Sequence, residues 1–297
     1  WTPADRAWVG DFGSGQALSD DQYRLIESFI PPAKPGGRPR TTDMRRMLDG
    51  LFYVVRTGCQ WRHVPPPPAF PPWQTIYGYF RLFLTTGVWE TIRHYLVMTL
   101  RESEGREASP TAVIIDTQSV KTTEKGARGY DAAKKVKGRK RHVAVDTLGL
   151  LLGVIVHAAD IQDADSAWDL LKQVKHLYCW LKVVYADSIY DRIAVLIACF
   201  LLGLTLILVR RIAGTTGFVV LPKRWIVERT LGWLGRCRRL SKDYEELPEV
   251  SEAMVTLAMI RLMPTASFTR TESATGILTF KTGTKIADDP QAFYPQE

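Results

Sequence analysis

Apolar positions recur at helical spacing through the first third of the chain and then change period near residue 107. Residues 1–17 are polar and Gly-containing without periodicity, which reads as a flexible end. In LSDDQYRLIESFI, Ser19 stands at an N-cap position and Tyr23, Leu25, Ile26, Phe29 and Ile30 share a helical face. A basic Pro/Gly linker, PPAKPGGRPR, precedes a second helix, with Asp43 as its cap and Met44, Met47, Leu48, Leu51 and Val55 on one face up to Gly58. After the Pro-rich GCQWRHVPPPPAFPPW, residues 75–84 and 88–100 are helical again. This predicts a small all-α domain over residues 18–106. Lys34, Arg38, Arg40, Arg45 and Arg46 at the entry to its second helix suit either DNA phosphates or a solvated face.

Beyond the charged hinge RESEGREASP, residues 112–115 form a continuous apolar run, as in a strand covered on both faces, and end in Asp116-Thr117. The glycine-containing basic run from Lys121 to Arg141 reads as an exposed, mobile excursion. Residues 142–145 and 150–156 then form a hairpin across Asp146-Thr147-Leu148-Gly149. A helix from Asp163 to about Cys179 leads to a strand at residues 183–186, which ends in Asp187-Ser188. The order strand, hairpin, helix, strand lays the first and last strands side by side in parallel. Their carboxyl ends, and with them Asp116 and Asp187, then share the edge where α/β sheets hold ligands. Near Lys223 another helix begins, with Arg224 and Glu228 four apart on one face. The pattern predicts an α/β domain over residues 107–262 and a polar tail over 263–297.

The 17 uncharged residues between Arg192 and Arg210 reach the short limit for a membrane span, about 17 residues. A buried helix ending near Leu202, capped by Gly203 and followed by a buried strand at residues 204–209, fits the branched side chains better.

Charge changes the picture more than composition does. The 297 residues carry a net +8, yet Lys121–Arg141 holds nine Lys/Arg against two acids, and Arg210–Lys242 holds nine around the single acid Glu228. Basicity concentrated beside candidate acids is the footprint of a polyanion partner. On this ground Lys121, Lys134, Lys135, Lys137, Arg139, Lys140, Arg141, Arg224, Arg229, Arg236 and Arg239 are the expected DNA-binding cations. The four cysteines form no CxxC pair, which excludes a zinc module or disulfide framework and suits a reducing, cytoplasmic setting.

Asp116, Asp187 and Glu228, with no Cys/His cluster, suit hard divalent cations such as Mg²⁺ or Mn²⁺. Composition leaves Glu228 open as either a salt-bridged surface residue or a metal ligand. Asp160, Asp163 and Asp165 compete as acids, but their place at a helix start favours capping and dipole roles. Tyr130 and Asp131 read as loop residues.

Through GRPRTTDMRRMLDGLFYVVRTGCQWRHVP, IIDTQSVKTTEKG, GYDAAKKVKGRKRHVAVDTLGLLL, ADIQDAD, YADS and GFVVLPKRWIVERTLGWLGRCRRLSKDYE, the chain resembles bacterial insertion-sequence transposases of the DDE class. The resemblance spans roughly residues 18–263. It implies a ribonuclease-H-like mixed sheet flanked by helices, with Asp116, Asp187 and Glu228 as catalytic, metal-binding acids. Arg224 takes the arginine position of a Y-(2)-R-(3)-E-(6)-K signature. Also implied are two Mg²⁺ or Mn²⁺ ions, double-stranded DNA (terminal inverted repeats and target) as partner, a homodimer on that DNA, and a nucleoid-associated location. Leu221 stands at the signature's tyrosine and Gly235 at its lysine, with Arg236 one residue later; Ile189-Tyr190-Asp191 follows the second acid where Gly-Tyr-Asp is usual. Two further functions fit the same residues: a DNA-binding relative that no longer cuts, and a plain metal-dependent nuclease.

Overall fold

The computed structural model describes residues 18–33, 36, 39–123, 125–209, 221 and 223–268. The expected flexible end, Lys34, Arg38, Arg210 and the tail beyond residue 268 lie outside them.

Local chemistry sets the first helices. Helix α1 (Asp20–Glu27) starts in a capping box, in which Ser19 accepts from the Gln22 amide while the Gln22 side chain accepts from the Ser19 amide. In α2 (Met44–Thr57) Asp43 accepts from the Arg46 amide, and Gly58 closes the helix at φ 69°, where a side chain would be strained. Two antiparallel neighbours follow, α3 (Trp73–Thr85) and α4 (Val88–Ser103). Their apolar faces do not form a separate core. A single cluster of buried side chains runs from Ile26, Leu48 and Trp89 into Val113, Val143 and Leu170. The last helix, α8 (Pro248–Phe268), packs against both α4 and the sheet and joins the two regions.

Six strands make a mixed sheet of ribonuclease-H-like order. They are β1 (Ala112–Lys121), β2 (Gly129–Asp131), β3 (Val136–Val145), β4 (Leu151–Ala158), β5 (Val183–Ala186) and β6 (Thr205–Leu208). Strand β3 pairs antiparallel with β1 on one side and with β2 and β4 on the other, while β5 runs parallel to β1 and β6 parallel to β5. The β3–β4 hairpin turns where predicted. Asp146 accepts from the Leu148 and Leu150 amides, pairs with Arg101 at the end of α4, and is fully buried. Gly149, at φ 85°, supplies the left-handed turn residue. Helix α5 (Asp163–Leu177) covers one sheet face, and α7 (Arg224–Gly235) lies against β1 and β3.

Three expectations are corrected. The basic run is no mobile excursion: its second half contains β2 and the start of β3, and Asp131 orders the turn between them by accepting from the amides of Ala133 and Lys134 and from the Ser119 hydroxyl. The apolar stretch after Arg192 does form a helix, α6 (Ile193–Leu201), and then β6, but both are half exposed; Phe200 is 83% and Ile193 77% accessible. Helix α6 buries only Val195, Ala198 and Cys199, and among the described residues β6 is the last strand of the sheet. No helix among the described residues is long and apolar enough to cross a membrane. Finally, the N-cap of α5 is Gln162, without a side-chain bond, and Asp163 instead holds the Lys140 ammonium at 2.8 Å.

One core acid gives the fold a pH dependence. Burial, with Glu90 and Glu249 adding to it against the pull of the Val156 amide, pushes the Glu252 carboxyl up to about 7. A raised carboxyl pKa stabilises the fold fully below the unfolded value, and that contribution is lost as pH rises through about 7. Glu252→Gln is therefore expected to raise the melting temperature at pH 8 and leave it unchanged at pH 5. The gain has a ceiling of about 3 kcal/mol, and thermal melts across that range measure it.

Candidate active site

The parallel pairing of β1 with β5 brings the first two acids together. The two strands pair in parallel from Ala112 with Val183 to Ile114 with Tyr185, and Asp116 and Asp187 follow two residues later on the carboxyl side of both. Asp187 then starts a 3₁₀ turn at Ser188–Tyr190 and accepts from the Ser188 amide at 2.6 Å. Asp116 accepts from the Thr117 amide at 2.8 Å.

Helix α7 brings the third acid and a cation. The Arg224 guanidinium lies 2.8 Å from Asp187 and 3.4 Å from Glu228, joining a strand end to a helix face. Burial pushes the Asp116 carboxyl up to about 6; Glu228 adds to that, while the Thr117 amide, Arg224 and Lys134 oppose it. Asp187 and Glu228 thus share one guanidinium, whose charge also acts on Asp116. No three His, Cys, Asp or Glu side chains among the described residues stand close enough together to hold a metal. Carboxylates repel one another, and a planar cation set between two of them holds them apart. The donor set still suits a hard divalent ion, since it offers carboxylate oxygens alone and already attracts a cation.

The expected DNA-binding residues divide into two kinds. Lys121, Lys134, Lys135, Lys137 and Arg236 are exposed, and the Lys134 ammonium also donates to the Thr117 carbonyl beside Asp116. Arg139, Lys140, Arg141 and Arg239 are buried, and their reading as surface cations is corrected. Arg139 pairs with Asp243 at 3.3 Å and donates to the carbonyls of Ala127, Glu245 and Glu246. Arg141 donates to the carbonyls of Leu240 and Lys242. Arg239 pairs with Glu245 at 2.7 Å, and Lys140 with Asp163. In a β-strand alternate side chains face opposite sides, so neighbouring cations on β3 enter both faces of the sheet rather than one loop surface. Arg229 is half-buried, its guanidinium held between the rings of Trp225 and Trp233 at 4.5 and 4.6 Å while it donates to the Leu148 carbonyl.

Residues 107–263 match the family described as "Transposase DDE domain". The chain belongs to the DDE transposases. Residues 18–93 match a second family, "Putative transposase of IS4/5 family", so the helical region and the sheet region both carry transposase signatures. A Burkholderia cepacia protein titled "Putative transposase for insertion sequence element IS402" is 28% identical over 151 residues, covering 48% of this chain and 70% of that protein. An "Insertion element IS402 uncharacterized 16.2 kDa protein" from the same organism is 28% identical over 116 residues, covering 37% of this chain and 77% of its own length. "Uncharacterized protein y4sN" of Sinorhizobium fredii is 40% identical over 48 residues, 16% of this chain and 38% of that protein.

Proposed function

We propose that this transposase binds the ends of an insertion sequence, hydrolyses a strand there, and joins the freed 3′-hydroxyl to target DNA, with Asp116, Asp187 and Glu228 as the catalytic acids. The observation that carries the reading is Arg224 held by both Asp187 and Glu228 beside a raised Asp116. Two acids from different elements share that positive charge, and it acts on Asp116 as well. Asp116, Asp187 and Glu228 would hold two Mg²⁺ or Mn²⁺ ions. Bound there, such ions activate the attacking oxygen and neutralise the leaving one in an in-line displacement. Arg224 then has a phosphate oxygen as its alternative partner, for which a guanidinium fork is well shaped.

Exposed Lys121, Lys135 and Lys137 hold the duplex through its phosphates without reading sequence. Replacing these three by Gln is expected to weaken binding to cognate and unrelated DNA alike, and to lower the slope of log K against log salt by about three at most. Titration at several salt concentrations checks this, and a loss confined to cognate ends contradicts it.

The function is tested with the full chain, Mg²⁺, and a duplex made from the DNA flanking the reading frame, in which inverted repeats are expected. Strand cleavage followed by joining to a second duplex is expected. Repeat binding with no metal-dependent cutting would instead identify a DNA-binding relative, and cut ends that never join would identify a nuclease.

A further inference from the structure

On the sheet face opposite Asp116, five side chains from five elements form one hydrogen-bonded chain. The Tyr190 hydroxyl lies 2.7 Å from Thr117 Oγ1, which lies 2.9 Å from His142 Nδ1. His142 Nε2 is 2.6 Å from His157 Nε2, to which Ser166 Oγ also comes within 2.6 Å. The two imidazoles stack at 4.5 Å, and Tyr190, Thr117 and His142 are buried.

One contact at the far end fixes the first proton of the chain. His157 Nδ1 lies 2.8 Å from the Ala158 carbonyl, an obligatory acceptor, so Nδ1 carries a hydrogen and Nε2 of the neutral ring accepts. When His142 Nε2–H, rather than the Ser166 hydroxyl, fills that single lone pair, His142 Nδ1 is left as an acceptor. Thr117 donates its only hydroxyl hydrogen to that nitrogen and receives the hydrogen of Tyr190. This direction needs both imidazoles neutral, and burial, with His157 and the Lys140 and Lys134 ammoniums acting the same way, holds His142 down at about 2.

Strands β1 and β5 are registered only as far as Ile114 and Tyr185, short of both acids. Beyond that point the Tyr190–Thr117 bond ties the two chain segments together. Its ends lie next to both acids in the chain: the Thr117 amide donates to the Asp116 carboxylate, and the Tyr190 amide donates to the backbone carbonyl of Asp187 at 3.0 Å. We infer that Tyr190 and Thr117, locked by His142 and His157, are positioning residues that set the separation of Asp116 and Asp187 and hence the affinity of the site for divalent ions. The inference rests on the three-acid reading of the site.

The test uses the full-length protein, Mn²⁺ calorimetry without DNA, and cleavage as a function of Mg²⁺. Tyr190→Phe keeps the ring and removes the hydroxyl, and is expected to weaken Mn²⁺ binding about 10-fold or more, the range seen when partners behind metal ligands are lost. The Mg²⁺ midpoint for cleavage should rise in parallel, with most of the maximal rate recovered at high Mg²⁺. Thr117→Val should match or exceed that loss, and Thr117→Ser, which keeps the hydroxyl, should restore wild-type affinity. Adding Tyr190→Phe to Thr117→Val should cost nothing more, because both remove the same bond. Lowered melting temperatures with unchanged Mn²⁺ affinity in Tyr190→Phe and Thr117→Val would overturn the inference and leave the chain as core packing. Should Tyr190→Phe fold poorly, the Thr117→Ser and Thr117→Val pair decides alone, equal Mn²⁺ affinities counting against it. Asp187→Asn separates the two levels: if it cleaves normally, the three-acid reading fails; if it is inactive while Tyr190→Phe binds Mn²⁺ as wild type does, only the positioning role fails.

Discussion

Glu228→Gln is expected to lower DNA cleavage on the order of 10³-fold at any Mg²⁺ concentration, the several kcal/mol that charge stabilisation at such a centre supplies. The substitution keeps the shape of the side chain and an oxygen facing Arg224, but it removes the negative charge that would attract a divalent ion. The same change barely touches the fold. Arg224 and Glu228 keep side-chain exposures of 24% and 34%, and a pair so open to water contributes about 0–1 kcal/mol. DNA affinity should hold or rise, since a negative charge leaves a basic helix. Cleavage, melting temperature and affinity thus move differently, and that separation distinguishes a ligand from a surface ion pair. Cleavage retained in the variant would remove Glu228 from the site and leave Arg224 with a purely structural partner.

Arg139→Met is expected to act on the fold alone, costing about 3–5 kcal/mol, which for a chain of this size lowers the melting temperature by roughly 10 °C or more. Arg139 and Asp243 have no exposed side-chain surface, and the guanidinium also satisfies the carbonyls of Ala127, Glu245 and Glu246. Removing it strands a buried carboxylate. Asp243→Asn in the same chain removes that charge, and part of the loss should return because Ser251 and the Glu245 amide still donate to the side chain. DNA binding measured well below the melting transition should match that of the parent chain. A selective fall in DNA affinity with no change in stability would return Arg139 to the DNA-binding surface.

Those two residues show where the sequence is legible and where it is not. Features whose partners lie within one turn or one strand period could be read directly. Ser19 and Asp43 cap helices because their amide partners are three residues away, and Gly58 ends a helix through its own backbone freedom. Strand–hairpin–helix–strand connectivity admits so few arrangements that Asp116 and Asp187 could be set on one edge of a parallel pair before any coordinates. The Arg224–Glu228 face followed from helical spacing. The fate of a charge did not follow from such rules. Arg139 and Lys137 are two places apart in one basic run, yet Arg139 meets Asp243, more than a hundred residues later, while Lys137 faces water. Tyr190, Thr117, His142, His157 and Ser166 carried no local signal beyond Thr117 following Asp116 and Tyr190 following Asp187. Their chain exists because β1, β3, β4, α5 and the turn after β5 meet on one sheet face. The sequence by itself determined most of the elements and their order and put three acids forward as candidates, since backbone hydrogen bonding and hydrophobic period act over short distances. Only the tertiary structure decided which cations are buried and which hydroxyls meet, because Coulombic and hydrogen-bond energies depend on distance in space, and packing brings together groups that the chain keeps far apart.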